Sequence, residues 1–139
     1  MALGCLSCHS DVDLEQRGLF IIDNQSGHDV TLQVFSTKNR QKAPLLLLVP
    51  QGGKLERTVE GGAGAISYPE LYVQGDSVRL VFNDGKQLLH YCTEVQQLSG
   101  QCTPAHNVFV LSQYRAEPVS KNVTKYTYLL APLDYNTAR

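Results

Sequence analysis

The feature that most constrains the fold is a pair of short apolar runs joined by a tight turn in the middle of the chain. In the first run Val78, Leu80 and Phe82 occupy every second position, which is the period of a β-strand with one buried face. Asp84 and Gly85 follow, and an Asp-Gly pair between two β-rich runs is the strongest short-range signal of a β-hairpin. The segment therefore predicts an antiparallel sheet.

The same strand-and-turn pattern recurs along the chain. Val30, Leu32 and Val34 alternate with polar residues, and residues 45–49 form an apolar run between two prolines that is typical of a buried strand. Further strands are expected at residues 18–23, 54–60, 107–112 and 123–131. A single helical turn is expected from Pro132, since proline suits the first position of a helix. About seven to eight short strands predict an all-β protein, a single antiparallel β-sandwich.

The chain divides into a short leader and one folded domain. Residues 1–17 are expected to be a signal-peptide remnant and flexible tether, and residues 18–139 the β-sandwich domain. Hydrophobic residues make up 42% of the chain and charged residues 18%, as in globular proteins. The net charge of −1 and the lack of a basic stripe argue against a nucleic-acid partner. No apolar run approaches the roughly 20 residues of a membrane-spanning helix.

Two interpretations compete for the N-terminal residues. Small and apolar residues, a cysteine and then an acidic stretch at 10–15 look like the end of a lipoprotein signal followed by a tether. Only seven residues precede Cys8, so this interpretation expects a longer apolar region upstream. The alternative is a c-type haem electron carrier, because Cys5, Cys8 and His9 have the C-x-x-C-H spacing that attaches haem. The β-rich body disfavours haem, since it offers no helical pocket.

The order of the segments resembles a group of small secreted lipoproteins from Bacteroidetes-type bacteria, which have an immunoglobulin- or transthyretin-like β-sandwich. The matching residues are Cys8 with 10–13, and the segments 22–27, 29–32, 76–86, 126–128 and 134–138. The resemblance implies that the lipid-bearing cysteine is Cys8, or alternatively Cys5. It also implies an outer-membrane lipoprotein of the cell envelope, held to the membrane through the lipid, and it carries no catalytic residues to transfer.

A second candidate site in the sequence consists of His90, Cys92, Cys102 and His106. Two cysteines and two histidines can hold a tetrahedral zinc ion. The competing interpretation is a disulfide between Cys92 and Cys102, which the oxidising surroundings of an exported protein favour. Free thiols are the third alternative.

The sequence offers little for catalysis, because it contains neither a Gly-x-Ser-x-Gly elbow nor a His-Glu-x-x-His motif. We therefore expect a non-enzymatic binding or assembly module without a cofactor. Its contact surface is expected at an exposed strand edge or a loop cluster, since unpaired edges invite pairing with a protein partner. The loop at 61–65 and the insertion at 92–102 are the expected variable elements. A small enzyme whose site the sequence does not display is the remaining hypothesis.

Overall fold

The structure, a computed structural model, describes residues 16–36, 43–60, 76–99 and 101–139. Its strands are β1 (Arg17–Asn24), β2 (Val30–Phe35), β3 (Leu45–Val49), β4 (Lys54–Glu60), β5 (Ser77–Phe82), β6 (Gln87–Tyr91), β7 (Arg115–Ser120) and β8 (Val123–Leu130). They form two four-stranded sheets, the first in the order β4-β1-β8-β7 and the second in the order β3-β2-β5-β6. The predicted all-β sandwich is confirmed.

The core lies between the sheets and is built from alternate positions of their strands. The first sheet contributes Phe20, Ile22, Tyr128 and Leu130, and the second contributes Val30, Leu32, Val34, Val78, Leu80 and Phe82. Full burial of each such side chain stabilises the fold by about 1.5 to 3 kcal/mol. Because successive side chains of a strand point to opposite faces, the intervening residues form an outer face on each sheet.

The hairpin between β5 and β6 closes as its sequence predicts. The Gly85 N–H donates to the carbonyl of Phe82 at 2.9 Å, and the Phe82 N–H donates to the carbonyl of Lys86 at 2.9 Å. Gly85 has a φ of 91°, which fits a three-residue hairpin loop that ends in a left-handed residue. The turn fixes a register in which Arg79 lies opposite Leu89.

One strand pair departs from the antiparallel arrangement expected. Strand β1 runs parallel to β8, with Arg17 opposite Val123 and Asn24 opposite Leu130. The other pairs among the described strands are antiparallel. Because β1 and β8 are far apart in the chain, no hairpin turn sets their relative direction.

The expected strand at 107–112 is wrong. The Asn107 side chain accepts a hydrogen bond from the Phe109 N–H at 2.9 Å, which closes a turn. The adjacent Val108 and Phe109 are both buried, whereas strand alternation would bury only one of them. The strand of this region is β7, and its Pro118 obscures the strand pattern although an edge strand tolerates proline.

Two short α-helices and one 3-10 turn complete the described fold. They are α1 (Glu94–Ser99), the 3-10 turn Leu111–Gln113 and α2 (Pro132–Thr137). The helix expected at Pro132 is confirmed, and Asp134 Oδ2 caps it by accepting the Ala131 N–H at 2.7 Å. No helix in the described ranges combines the length and apolar character required to cross a membrane.

Candidate functional site

The N-terminal candidate residues lie outside the described ranges. Cys5, Cys8 and His9 fall within residues 1–15, and the 61–65 loop is likewise outside them. Lipidation of Cys8 or Cys5 and the haem alternative therefore stay predictions.

Cys92 and Cys102 form a disulfide. The bond joins the end of β6 to the segment that follows α1, and both cysteines are buried. This disulfide replaces the alternative zinc site at His90, Cys92, Cys102 and His106, because that site requires both thiolates as ligands. Among the described residues, no group of three or more His, Cys, Asp and Glu side chains is arranged to hold a metal ion.

His90 lies fully buried on the core side of β6. Its Nδ1 accepts a hydrogen bond from the backbone N–H of Val108 at 3.1 Å, so the ring proton resides on Nε2. Burial, with a smaller contribution from the charge of His106, lowers the pKa of His90 to about 3. The ring is therefore neutral, and its bond to Val108 satisfies a buried backbone donor.

His106, Tyr128 and Asp134 form a hydrogen-bonded cluster beside His90. His106 Nδ1 lies 2.8 Å from Asp134 Oδ1 and 3.0 Å from the Tyr128 hydroxyl. The Tyr128 ring stacks on the His106 ring with centroids 4.6 Å apart. It also packs against the His90 ring in a T-shaped arrangement with centroids 6.5 Å apart. The cluster thus joins α2 to β8 and to the segment after the disulfide.

A histidine–carboxylate pair can act as a catalytic base when a nucleophile lies beside it. Here the hydroxyl beside His106 belongs to Tyr128. Burial raises the pKa of Tyr128, so the hydroxyl remains protonated. The cluster therefore fits a structural role in holding α2 better than it fits nucleophilic catalysis. Sequence analysis missed Tyr128 and Asp134, which lie 22 and 28 residues from His106 and share no local pattern with it.

The outer face of the second sheet exposes several large apolar side chains. Leu46 and Leu48 on β3 are 60% and 68% exposed, and Leu89 and Tyr91 on β6 are 49% and 42% exposed. We call this surface the apolar face; its apolar members are Phe35, Leu46, Leu48, Val81, Leu89 and Tyr91. Polar residues of β2 and β5 lie between the apolar side chains of β3 and those of β6. Exposed apolar side chains grouped on one outer face are a feature of interaction sites in soluble domains.

The outer face of the first sheet is charged instead. Its charged residues are Arg17, Asp23, Lys54, Glu56, Glu60, Arg115, Glu117 and Lys125. Glu117 binds Arg115 at 2.7 Å and Lys125 at 3.0 Å. The hydrogen bond from Lys125, reinforced by the charge of Arg115, lowers the pKa of the Glu117 carboxyl. The two solvent-facing sides of the sandwich therefore differ in charge, although Leu129 on the first sheet is also exposed.

Among the described strands, three of the four sheet edges are protected against pairing with another chain. Strand β4 carries four charged residues, and β7 carries Pro118 and a register irregularity. The edge of β6 is covered where Gln87 exchanges hydrogen bonds of 2.9 and 3.0 Å with Arg139. It is covered again where Tyr91 and Thr103 exchange bonds of 3.1 and 3.4 Å. Charges, prolines, bulges and covering segments are the usual means of protecting an edge.

Strand β3 lacks these protections. It carries no charge, and no other described segment pairs with it on the side away from β2. The prediction of a buried strand at residues 45–49 is wrong, because β3 is an edge strand whose Leu46 and Leu48 are exposed. The flanking Pro44 and Pro50 are the sequence signal that points to an edge, since proline is disfavoured in central strands.

Arg79 lies in the middle of the apolar face. Its neighbours across the strands are Gln33 on β2 and Leu89 on β6. The guanidinium carbon lies 5.3 Å from the centroid of the Phe35 ring, within the range of a cation–π interaction. Arg79 is the only charged residue that the described parts of β2, β3, β5 and β6 place on this face, and Arg139 lies beside β6, opposite Gln87. No described carboxylate forms a salt bridge with Arg79.

No family model, curated protein or solved structure matches the chain. The proposal for its function therefore rests on the chemistry of its own surfaces.

Proposed function

We propose that this protein is a non-enzymatic binding module of the bacterial cell envelope, and that it docks another protein on the apolar face. The observation that carries the proposal is the asymmetry between the two outer faces. Leu46, Leu48, Leu89 and Tyr91 are exposed on one sheet, while the other sheet presents ion pairs such as Glu117 with Lys125. A partner that covers the leucines would stabilise the complex by about 25 cal/mol for each Å² of apolar surface removed from water.

The composition of the apolar face supports a protein partner. Tyrosine and arginine are enriched among the residues that dominate protein interfaces. Tyr91 lies on this face opposite Ser77, and Arg79 lies between Gln33 and Leu89. The unprotected edge of β3 adjoins the same surface. A partner strand that pairs with β3 would extend the second sheet and place its own side chains beside Leu46 and Leu48.

The disulfide supports an exported location. Disulfides persist in oxidising compartments such as the bacterial envelope and are rare in the cytosol, and Cys92 is bonded to Cys102. We place the lipid anchor of the native protein on Cys8, with Cys5 as the alternative. The residues between the lipid-bearing cysteine and β1 would then tether the folded domain to the outer membrane.

Photo-crosslinking in the native host tests the docking surface. A photoreactive amino acid replaces Leu48 or, as the matched control, Leu133 on α2, which is 65% exposed and lies off the apolar face. We expect a discrete adduct with one other protein from position 48 and none from position 133. The double substitution Leu46→Lys and Leu48→Lys should abolish co-purification of that protein, while Leu133→Lys should retain it. Equal adducts from both positions would exclude the apolar face as the docking surface.

Fatty-acid labelling tests the anchor separately. The native full-length protein should incorporate an alkyne fatty acid and lose it on Cys8→Ser but not on Cys5→Ser. The opposite result would assign the lipid to Cys5, and label retained in both variants would exclude both cysteines. A Soret band that survives denaturation and extraction would instead establish the haem alternative at Cys5, Cys8 and His9.

A further inference from the structure

We infer that the partner presents an aspartate or glutamate side chain, surrounded by apolar residues, and that this carboxylate binds Arg79. The inference rests on the proposed function, and it adds the chemistry that a protein must have to fit the apolar face. Two observations support it. The Arg79 guanidinium lies where docking on the apolar face would remove water, and the described strand residues of that face include no acid.

The position of Arg79 means that docking desolvates it. Leu89 on β6 lies directly opposite it on one side, and Gln33 on β2 separates it from Leu46 on the other. A partner that covers the exposed leucines on both sides must also cover the guanidinium between them. Burying a charged group without a counter-charge costs several kcal/mol, so the partner has to supply an acceptor.

The acceptor that fits a guanidinium best is a carboxylate. Arginine offers planar paired N–H donors that match the two oxygens of a carboxylate, and such bonds are about twice as strong as neutral ones. The interaction with Phe35, at 5.3 Å from the ring centroid, holds the guanidinium against the sheet before the partner arrives. Less side-chain freedom is then lost on binding, which favours affinity.

The same charge argues against a second copy of this chain as the occupant. Two copies docked face to face around a two-fold axis would present the same patch to each other. Each patch carries Arg79 and no acidic residue among its described positions, so the interface would bury two like charges. Self-association through this face is therefore an outcome that contradicts the inference.

A displayed library of short random peptides provides a defined probe. It is selected on the folded domain and, in parallel, on Arg79→Gln and on the double variant Leu46→Lys with Leu48→Lys. Peptides enriched on the unaltered domain should carry an aspartate or glutamate among apolar residues. Their affinity should fall about tenfold or more on Arg79→Gln, and less on Arg79→Lys, which keeps the charge but not the paired geometry.

A double-mutant cycle isolates the contact. Replacing the acid of a selected peptide by its amide should weaken binding to the unaltered domain but have little further effect on Arg79→Gln. Arg79 is partly exposed, so its substitution should leave the sheet intact. Thermal melting of each variant checks this.

The outcomes separate the inference from the proposed function. Peptides that require Leu46 and Leu48 but show no acid preference, and bind Arg79→Gln equally well, overturn the carboxylate and leave the docking face standing. Peptides whose binding is unaffected by the leucine substitutions overturn both the carboxylate and the docking face. The same holds if no peptide is enriched on the unaltered domain relative to the double lysine variant. Dimerisation that Leu48→Lys abolishes overturns the inference in favour of a second copy.

Discussion

The Nδ1 atom of His90 accepts a 3.1 Å hydrogen bond from the backbone N–H of Val108. The His90 ring lies in the core and has no exposure to solvent. A proton on Nδ1 would break this bond and place a charge in an apolar environment. For that reason burial lowers the pKa of His90 to about 3. The burial of His90 therefore couples the stability of the fold to pH.

We expect the free energy of unfolding to fall as the solution is acidified. The pKa of His90 is about 3 when folded and 6.5 ordinarily, so between these values the unfolded state alone binds the proton. The contribution of His90 is fully present above pH 6.5 and is lost as the pH falls towards 3. At about 1.4 kcal/mol per pH unit, acidification from about pH 6.5 to 5 should cost about 2 kcal/mol. Urea unfolding over this range measures the effect.

The substitution His90→Asn is the control for this pH dependence. Asparagine offers Val108 an acceptor but does not titrate, so the slope from His90 should disappear even if the variant is less stable throughout. The matched substitution His28→Asn, at a partly exposed histidine, should leave that slope in place. An unaltered slope in His90→Asn would show that other groups cause it.

The contact between Tyr135 and Asp84 should appear in the titration of both groups. The Tyr135 hydroxyl donates to Asp84 Oδ2 at 2.5 Å, which lowers the pKa of Asp84 and raises that of Tyr135. Tyr135→Phe should raise the pKa of Asp84 towards 3.8, and Asp84→Asn should lower the pKa of Tyr135. Carbon NMR titration measures each group separately. Glu117, whose pKa is lowered by Lys125, should be unaffected, and an unchanged Asp84 in Tyr135→Phe would contradict the contact.

Asn24 should be among the most sensitive polar positions. Its Nδ2 donates to the carbonyls of His28 and Val49, both at 2.8 Å, and its Oδ1 accepts the Ser26 N–H at 3.1 Å. Asn24→Ala removes these bonds in a buried site and should cost about 2 to 4 kcal/mol in urea unfolding. Asn83→Ala, at an exposed residue with a 3.3 Å contact to His28, should stay within about 0.5 kcal/mol. Equal costs for the two would contradict this role of Asn24.

The disulfide should contribute measurably to stability. Cys92 and Cys102 are separated by 10 positions, and closing so short a loop in the unfolded chain corresponds to about 2 to 3 kcal/mol in the chain-entropy model. The double substitution Cys92→Ala with Cys102→Ala should lower the free energy of unfolding by that amount. A reducing agent should destabilise the unaltered protein but not the double variant, which controls for the other cysteines. Equal sensitivity of the two proteins to the reductant would contradict the bond.

The parts of the fold that sequence predicts well are those whose information is local. Gly85 follows Asp84 directly, and the hairpin they close brings strands together across a few residues. The parallel pairing of β1 with β8 joins the two ends of the domain, and no short pattern encodes its direction. The segment 107–112 is apolar because it packs as a buried turn, and apolar content alone does not distinguish such a turn from a strand.

The candidate site differs from the sequence prediction, which placed the contact surface at a strand edge or a loop cluster rather than on the face of a sheet. An exposed strand edge was expected, yet residues 45–49 were assigned to a buried strand because their leucines are consistent with either setting. Whether a leucine is buried depends on which strand lies beside it, and β3 has a neighbour on one side only among the described strands. The central position of Arg79 follows from the register of β2, β5 and β6 together, which no single segment specifies.

Gly85 allows the backbone conformation of the hairpin turn to be tested. Its φ is 91°, and a Cβ built there meets no atom within 4 Å, so a side chain adds conformational strain without a clash. Gly85→Ala should lower the free energy of unfolding by about 1 to 2 kcal/mol. Gly85→Asn should cost less, because asparagine tolerates positive φ better than alanine. Urea unfolding of the two variants provides the comparison, and a loss in Gly85→Asn as large as that in Gly85→Ala would contradict the backbone conformation as the reason for glycine at this turn.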